Sequence, residues 1–97
     1  MIETTAEGNP LDVRRRRLSF RAWHRGMREM DLILGRFADR TITELTEVEL
    51  LEFERLIELP DRELLGWITG ELAIPAEHDG PLLRRVRQFH LADEGVR

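Results

Sequence analysis

The chain contains no cysteine, which excludes both a disulfide framework and a thiolate metal site. Lysine is absent too, so all fifteen basic residues are arginine. No apolar run approaches the roughly 20 residues that a membrane-spanning helix needs. Residues 1–12 lack the basic start and apolar stretch of a signal peptide, and they carry acids that a mitochondrial presequence avoids. The expectation is a cytoplasmic bacterial protein with no direct membrane insertion. No strand-period pattern of useful length and no internal repeat is found. A Gly-rich phosphate loop, a dinucleotide fingerprint and a metal motif are all missing. Ser19 and His24 make a poor catalytic dyad, with no nucleophile elbow and no orienting acid. His78 and His90 have no ligand-like spacing with each other or with the carboxylates. No catalytic constellation can be assembled, so the chain is not expected to be an enzyme.

Ninety-seven residues, 41% of them hydrophobic, suffice for one domain with a thin core. Charged residues make up 35%, which implies broad solvated helix faces. The net charge of -4 hides an asymmetry. Seven arginines fall between Arg14 and Arg28, whereas Asp39 to Glu63 carries nine acids against three arginines. A basic segment in an acidic protein argues against general nucleic-acid binding. It suits an oriented contact with an acidic protein surface, where charge sets approach and register.

Helical periodicity organises the chain into an all-α, single-domain five-helix bundle. Residues 1–10, broken by Gly8 and Pro10, read as a disordered tail. A first helix spans about 11–24, with Leu18 and Ala22 on its apolar stripe. Arg25-Gly26 interrupts the pattern, and a turn is expected there. The second helix, about 27–38, is the clearest: Met30, Ile33, Leu34 and Phe37 follow the i, i+3, i+4, i+7 rule, with Met27 one turn earlier. Gly35 weakens its last turn, and an end near Asp39 is expected. Thr46-Glu47-Val48-Glu49 has the form of a capping box, opening a helix to about Glu58 that Pro60 stops. Asp61 suits the N-cap of a short helix to about Thr69, which Gly70 ends. Residues 71–80 form a loop. Gly80-Pro81 opens a final helix, with 92–97 expected to fray, so that the helical domain covers 11–91.

The segment from Ser19 to Ala38 is the most informative. Read from physics alone, Arg25 and Glu29 are four apart and suit a surface ion pair, with Gly26 a turn residue. His24, beside a surface arginine, reads as solvated, with contact to a partner as the alternative. Trp67, within an apolar run, reads as core. Trp23, in the basic segment, is poised between core and interface anchor. The Arg14–Arg17 run suits either a solvated first turn or RNA, but there is no aromatic platform for RNA.

Arg25-Gly26-x-x-Glu29, followed at once by Met30-Asp31-Leu32-Ile33-Leu34 and then Phe37, resembles the RGxxE signature of the SdhE family of FAD assembly factors. Leu50 to Leu59, with Phe53-Glu54, looks like the family's middle helix. Asp61-x-x-Leu64-x-x-Trp67-Ile68-x-Gly70 resembles its next short helix, and Pro75 falls where the family carries proline. The resemblance covers about residues 14–90.

It implies a chaperone that binds the flavoprotein subunit of succinate dehydrogenase, with the related fumarate reductase subunit a second candidate, and promotes covalent attachment of FAD. In this family the attached histidine and the bond to the flavin belong to the flavoprotein. The expected partner-binding residues are Arg25, Gly26 and Glu29, with Arg21, Trp23, His24 and Arg28 around them. A glycine among charged groups lets a partner's backbone approach, and arginine offers a rigid fork of donors. The chain is expected to act as a monomer and to hold no cofactor tightly, with FAD held by the partner. Two rival readings are a general helical adaptor that docks an acidic partner through its arginine-rich segment, and a small RNA-binding regulator with steep salt dependence.

Overall fold

The computed structural model describes residues 9–96, with side chains of the last helix described through Ala92. Of the expected tail at 1–10, residues 1–8 lie outside the described residues. Five α-helices follow in order: α1 Pro10–Trp23, α2 Arg28–Thr41, α3 Glu47–Leu56, α4 Asp61–Thr69 and α5 Pro81–Val96, with a 3-10 turn Ala76–His78 before α5. No strand occurs among the described residues. The expected all-α, five-helix architecture is what is found.

Helix α2 is the centre of the packing. Its Met30, Ile33, Leu34, Phe37 and Ala38 are buried, joined in one core by Leu18 and Ala22 of α1, Leu50 and Phe53 of α3, Leu64, Trp67 and Ile68 of α4, and Leu82, Leu83 and Val86 of α5. Phe37 meets Phe53 and Phe89 edge to face, at centroid distances of 5.6 and 5.7 Å, a favoured arrangement for aromatic pairs. Trp67 is 4% exposed, in the core as expected, and Met30 is fully buried while Met27 packs at the core's edge.

Helix boundaries differ from expectation where local chemistry outweighs periodicity. Pro10 is not a breaker; it is the first residue of α1, and Asn9 caps the helix by accepting from the Leu11 N–H at 2.9 Å. Helix α2 runs past Asp39 to Thr41, because Ala38 and Thr41 are both buried and this packing outweighs the propensity cost of Gly35. The capping box of α3 is present: the Glu49 N–H donates to Thr46 Oγ1 at 3.2 Å and the Thr46 N–H to Glu49 Oε1 at 2.9 Å. Helix α3 ends at Leu56, two residues early, as the Glu58 and Leu59 amides close tighter turns onto Arg55 and Leu56 ahead of Pro60. Pro60, not Asp61, is the N-cap of α4, and no side chain caps that helix. Gly70 ends α4 at φ 90°, and the Gly70 and Leu72 amides both bond the Gly66 carbonyl at 3.0 Å. The backbone of α5 stays helical to Val96.

Candidate functional site

The turn between α1 and α2 carries the Arg-Gly-x-x-Glu sequence, and its shape follows from two local bonds and one glycine. Helix α1 ends at Trp23, and the His24 amide turns back to the Arg21 carbonyl at 3.3 Å. The Arg25 amide donates to Asp31 Oδ1 at 2.6 Å, so a side chain from the first turn of α2 holds the backbone just ahead of Gly26. Gly26 then adopts φ +95°, which L side chains rarely enter. A Cβ built on Gly26 would meet nothing within 4 Å. The glycine serves the backbone, and it leaves an open, exposed patch at the tip of the turn.

Arg25 does not point outward. Its side chain is 11% exposed and its guanidinium reaches into the turn between α3 and α4. There Nε donates to Asp61 Oδ1 at 2.7 Å, Nη2 donates to the Leu59 carbonyl at 2.8 Å, and Nη1 donates to the Ile57 carbonyl. The planar fork thus satisfies a carboxylate and two backbone acceptors at once. The i, i+4 pair with Glu29 is not formed, since Arg25 precedes α2 and is committed to Asp61. Asp61 was expected as a cap; it is instead the anion for Arg25.

The remaining candidates surround this turn. Arg28 and Glu29 are exposed in the first turn of α2, and among the described residues no side-chain hydrogen bond or ion pair involves either one. Glu29 there also complements the helix dipole. His24 is exposed; its Nδ1 lies 2.6 Å from the Phe20 carbonyl and its ring stacks on Phe20. Arg21 donates to Glu58 Oε2 at 2.6 Å. Trp23 is half-buried: its Nε1–H donates to Asp39 Oδ1 at 3.1 Å, and its ring lies on the backbone of Gly35. Gly26, His24, Arg28 and Glu29 are therefore the exposed residues of this region, while side-chain bonds tie Arg25, Arg21 and Trp23 to residues beyond α1 and its turn.

The charge asymmetry of the sequence is resolved in part within the fold. Arg14 forms a two-point pair with Glu54, Nε to Oε2 at 3.2 Å and Nη2 to Oε1 at 3.0 Å. Bonding to Glu54 raises the Arg14 pKa above its ordinary value. Arg15 donates to the Ile42 and Leu45 carbonyls at 3.1 and 3.3 Å. With Arg21–Glu58 and Arg25–Asp61, three arginines of the basic segment meet three acids of the acidic one. Much of the arginine that a general adaptor would offer to an acidic partner is engaged internally.

Sequence reasoning did not find Asp31, Glu58, Asp61 or Phe20 as members of this region. The first three are ordinary surface acids in sequence, and only the fold brings them to their arginines. Among the described residues, no group of His, Asp and Glu could hold a metal ion and no helix is long and apolar enough to cross a membrane.

A protein-family model described as flavinator of succinate dehydrogenase, Sdh5, matches residues 16–90. The chain is 46% identical over 81 residues to a FAD assembly factor SdhE of Acetobacter pasteurianus, covering 84% of this chain and 73% of that protein. It is 41% identical over 63 residues to a mitochondrial succinate dehydrogenase assembly factor 2 of Scheffersomyces stipitis, covering 65% of this chain and 42% of that protein. A mitochondrial succinate dehydrogenase assembly factor 2 of Dictyostelium discoideum is 33% identical over 93 residues, 96% of this chain and 65% of its own length.

Proposed function

The chain belongs to the Sdh5 family of flavinators of succinate dehydrogenase, and from that membership we propose that it binds the flavoprotein subunit and promotes covalent attachment of FAD there. The observation that carries the docking site is Gly26: a positive-φ glycine with open space around it, at the tip of a turn braced by Arg25. A partner's backbone can pass close over such a position. His24, Arg28 and Glu29 flank it as exposed polar contacts, with Arg28 offering a guanidinium to a partner carboxylate. Arg21, Trp23 and Arg25 hold the edge in shape. The fumarate reductase flavoprotein is a second candidate client.

The chain supplies position rather than chemistry. Flavin attachment depends on holding the ring, the accepting histidine and nearby cations of the flavoprotein in one arrangement. A rigid helical edge wedged against the flavoprotein's domains favours that arrangement by binding it selectively. FAD on this reading stays with the partner; beside the turn, Arg21 and Arg25 are each already paired with a carboxylate. On this reading the chain is a monomeric chaperone and not an enzyme. It works in the cytoplasm, a placement supported by its 46% identity to the Acetobacter factor.

The test is covalent flavin itself. The apo flavoprotein subunit of succinate dehydrogenase is incubated with FAD and limiting dicarboxylate, with and without this chain, then denatured and scanned for in-gel flavin fluorescence. Faster or fuller attachment with the wild type, lost in Gly26→Val, is the expected result. No acceleration by a folded chain acting on a competent flavoprotein would overturn the proposal.

A further inference from the structure

Phe20 is 61% exposed on α1, a large apolar ring that folding leaves uncovered. It is not isolated. Its ring stacks on that of His24, with centroids 4.0 Å apart and planes 20° from parallel. The bond between His24 Nδ1 and the Phe20 carbonyl, 2.6 Å long, fixes the imidazole in that position. A neutral imidazole so placed donates through Nδ1 and leaves Nε2 as its acceptor. The two rings make a plate at the end of α1, held by the helix beneath it.

The plate borders a shallow cleft of about 370 Å³, lined also by Leu59 and Pro60 of the α3–α4 turn and by Arg21, Arg25 and Asp61. Its two arginines are already neutralised: Arg21 is paired with Glu58 at 2.6 Å and Arg25 with Asp61 at 2.7 Å. A carboxylate or phosphate entering here would meet arginines that already hold counter-ions. A neutral apolar side chain would displace only water, and it would cover the ring of Phe20 and the faces of Leu59 and Pro60. The cleft also adjoins the glycine turn, since His24 and Arg25 line it and Gly26 follows directly.

We propose that the Phe20–His24 plate is the apolar anchor of the docking edge, burying against an apolar or aromatic side chain of the flavoprotein segment that passes over Gly26. This rests on the docking reading given under Proposed function and adds to it the chemistry of the partner's group. Aromatic residues are frequent anchors of this kind, surrounded by contacts that exclude water.

The experiment is calorimetric binding of the full chain to the flavoprotein subunit of succinate dehydrogenase, at low and at high salt, for wild type, Phe20→Ala, Phe20→Leu and Gly26→Val. Circular dichroism confirms that each variant is folded. Phe20→Ala is expected to weaken binding about tenfold or more, equally at both salt concentrations, and Phe20→Leu to retain most of the affinity. Wild-type affinity in Phe20→Ala, with binding lost in Gly26→Val, would show that the edge docks but the plate is not its anchor. A Phe20→Ala loss that appears only at low salt would overturn the apolar contact in favour of an ionic one. Failure of the wild type itself to bind the flavoprotein would sink the docking reading and the anchor with it.

Discussion

Arg25 and Asp61 meet at 2.7 Å across two different turns, with side chains only 11% and 21% exposed. They are 36 residues apart, and their contact ties the α1–α2 turn to the α3–α4 turn. The most conspicuous charge of the Arg-Gly-x-x-Glu sequence thus holds the scaffold on which Gly26 is presented. Removing one member of a part-buried, hydrogen-bonded charge pair leaves the other without its counter-ion.

Asp61→Ala is therefore expected to destabilise the fold by about 2 kcal/mol, in the range for hydrogen bonds to charged groups. Arg25→Ala should cost at least as much, since it also strips a donor from the Ile57 and Leu59 carbonyls. Urea unfolding of the two single variants and the double variant measures this. A double variant no less stable than Arg25→Ala alone is the signature of a shared contact. Strict additivity would show that the pair is not coupled.

Gly35→Ala tests a second close approach. Alanine is the better helix former by about 1 kcal/mol, so an exposed helical glycine would gain from the change. At Gly35 a Cβ would lie 2.6 Å from Trp23 Cε3 and closer still to the ring's bridgehead carbons. Trp23 would have to leave its place on α2 and its bond to Asp39. The expected outcome is net destabilisation by about 1–3 kcal/mol, as for an overpacked core, with a shift in tryptophan emission. At Gly66 the Cβ would meet Leu72, at 2.5 Å from its Cδ1. Leu72 is a half-exposed side chain that can rotate away, so Gly66→Ala should cost less than Gly35→Ala. The reverse order in urea midpoints would show that the Trp23 contact is looser than its geometry.

Gly26→Ala separates conformation from docking. A Cβ there meets no atom of the chain, so the only internal cost is that of positive φ, about 1–2 kcal/mol. The variant should fold, with a modest drop in urea midpoint. Flavin attachment should fall by more than that drop explains, because the methyl group occupies the space offered to the partner. Attachment equal to wild type would place the contact elsewhere on the edge.

Much of this molecule was legible in its sequence because its signals are local. The period of Met30, Ile33, Leu34 and Phe37 identifies α2, Thr46 and Glu49 spell their capping box, and Gly70 marks the left-handed stop of α4. Gly26 was legible as a turn, since a glycine between arginine and methionine interrupts two apolar stripes. What the sequence withheld are pairings across the fold. Arg25–Glu29 is the obvious pair by spacing, yet Arg25 binds Asp61, because the helix begins only at Arg28 and the i, i+4 geometry never forms. Likewise, Trp23 stood between core and interface until the absent Cβ of Gly35 showed where its ring rests.

Acid should reveal one more local device. Asp79 precedes the start of α5, and Arg84 bonds both its carboxylate oxygens at 2.7 Å. That hydrogen bonding holds the Asp79 carboxyl below its ordinary pKa. A carboxylate whose folded pKa is depressed stabilises the fold above its unfolded pKa, near 3.9 for aspartate, and loses that contribution as pH falls through the folded value. Asp79→Asn should therefore be less stable than wild type at neutral pH. The gap should begin to narrow as the pH drops below the ordinary aspartate range and should close once Asp79 is protonated in the fold. Because the pair is exposed, added salt should shrink the gap at neutral pH. Urea midpoints of both proteins across an acid series give the answer, and a gap that persists unchanged into strong acid would assign the effect of Asp79→Asn to something other than its charge.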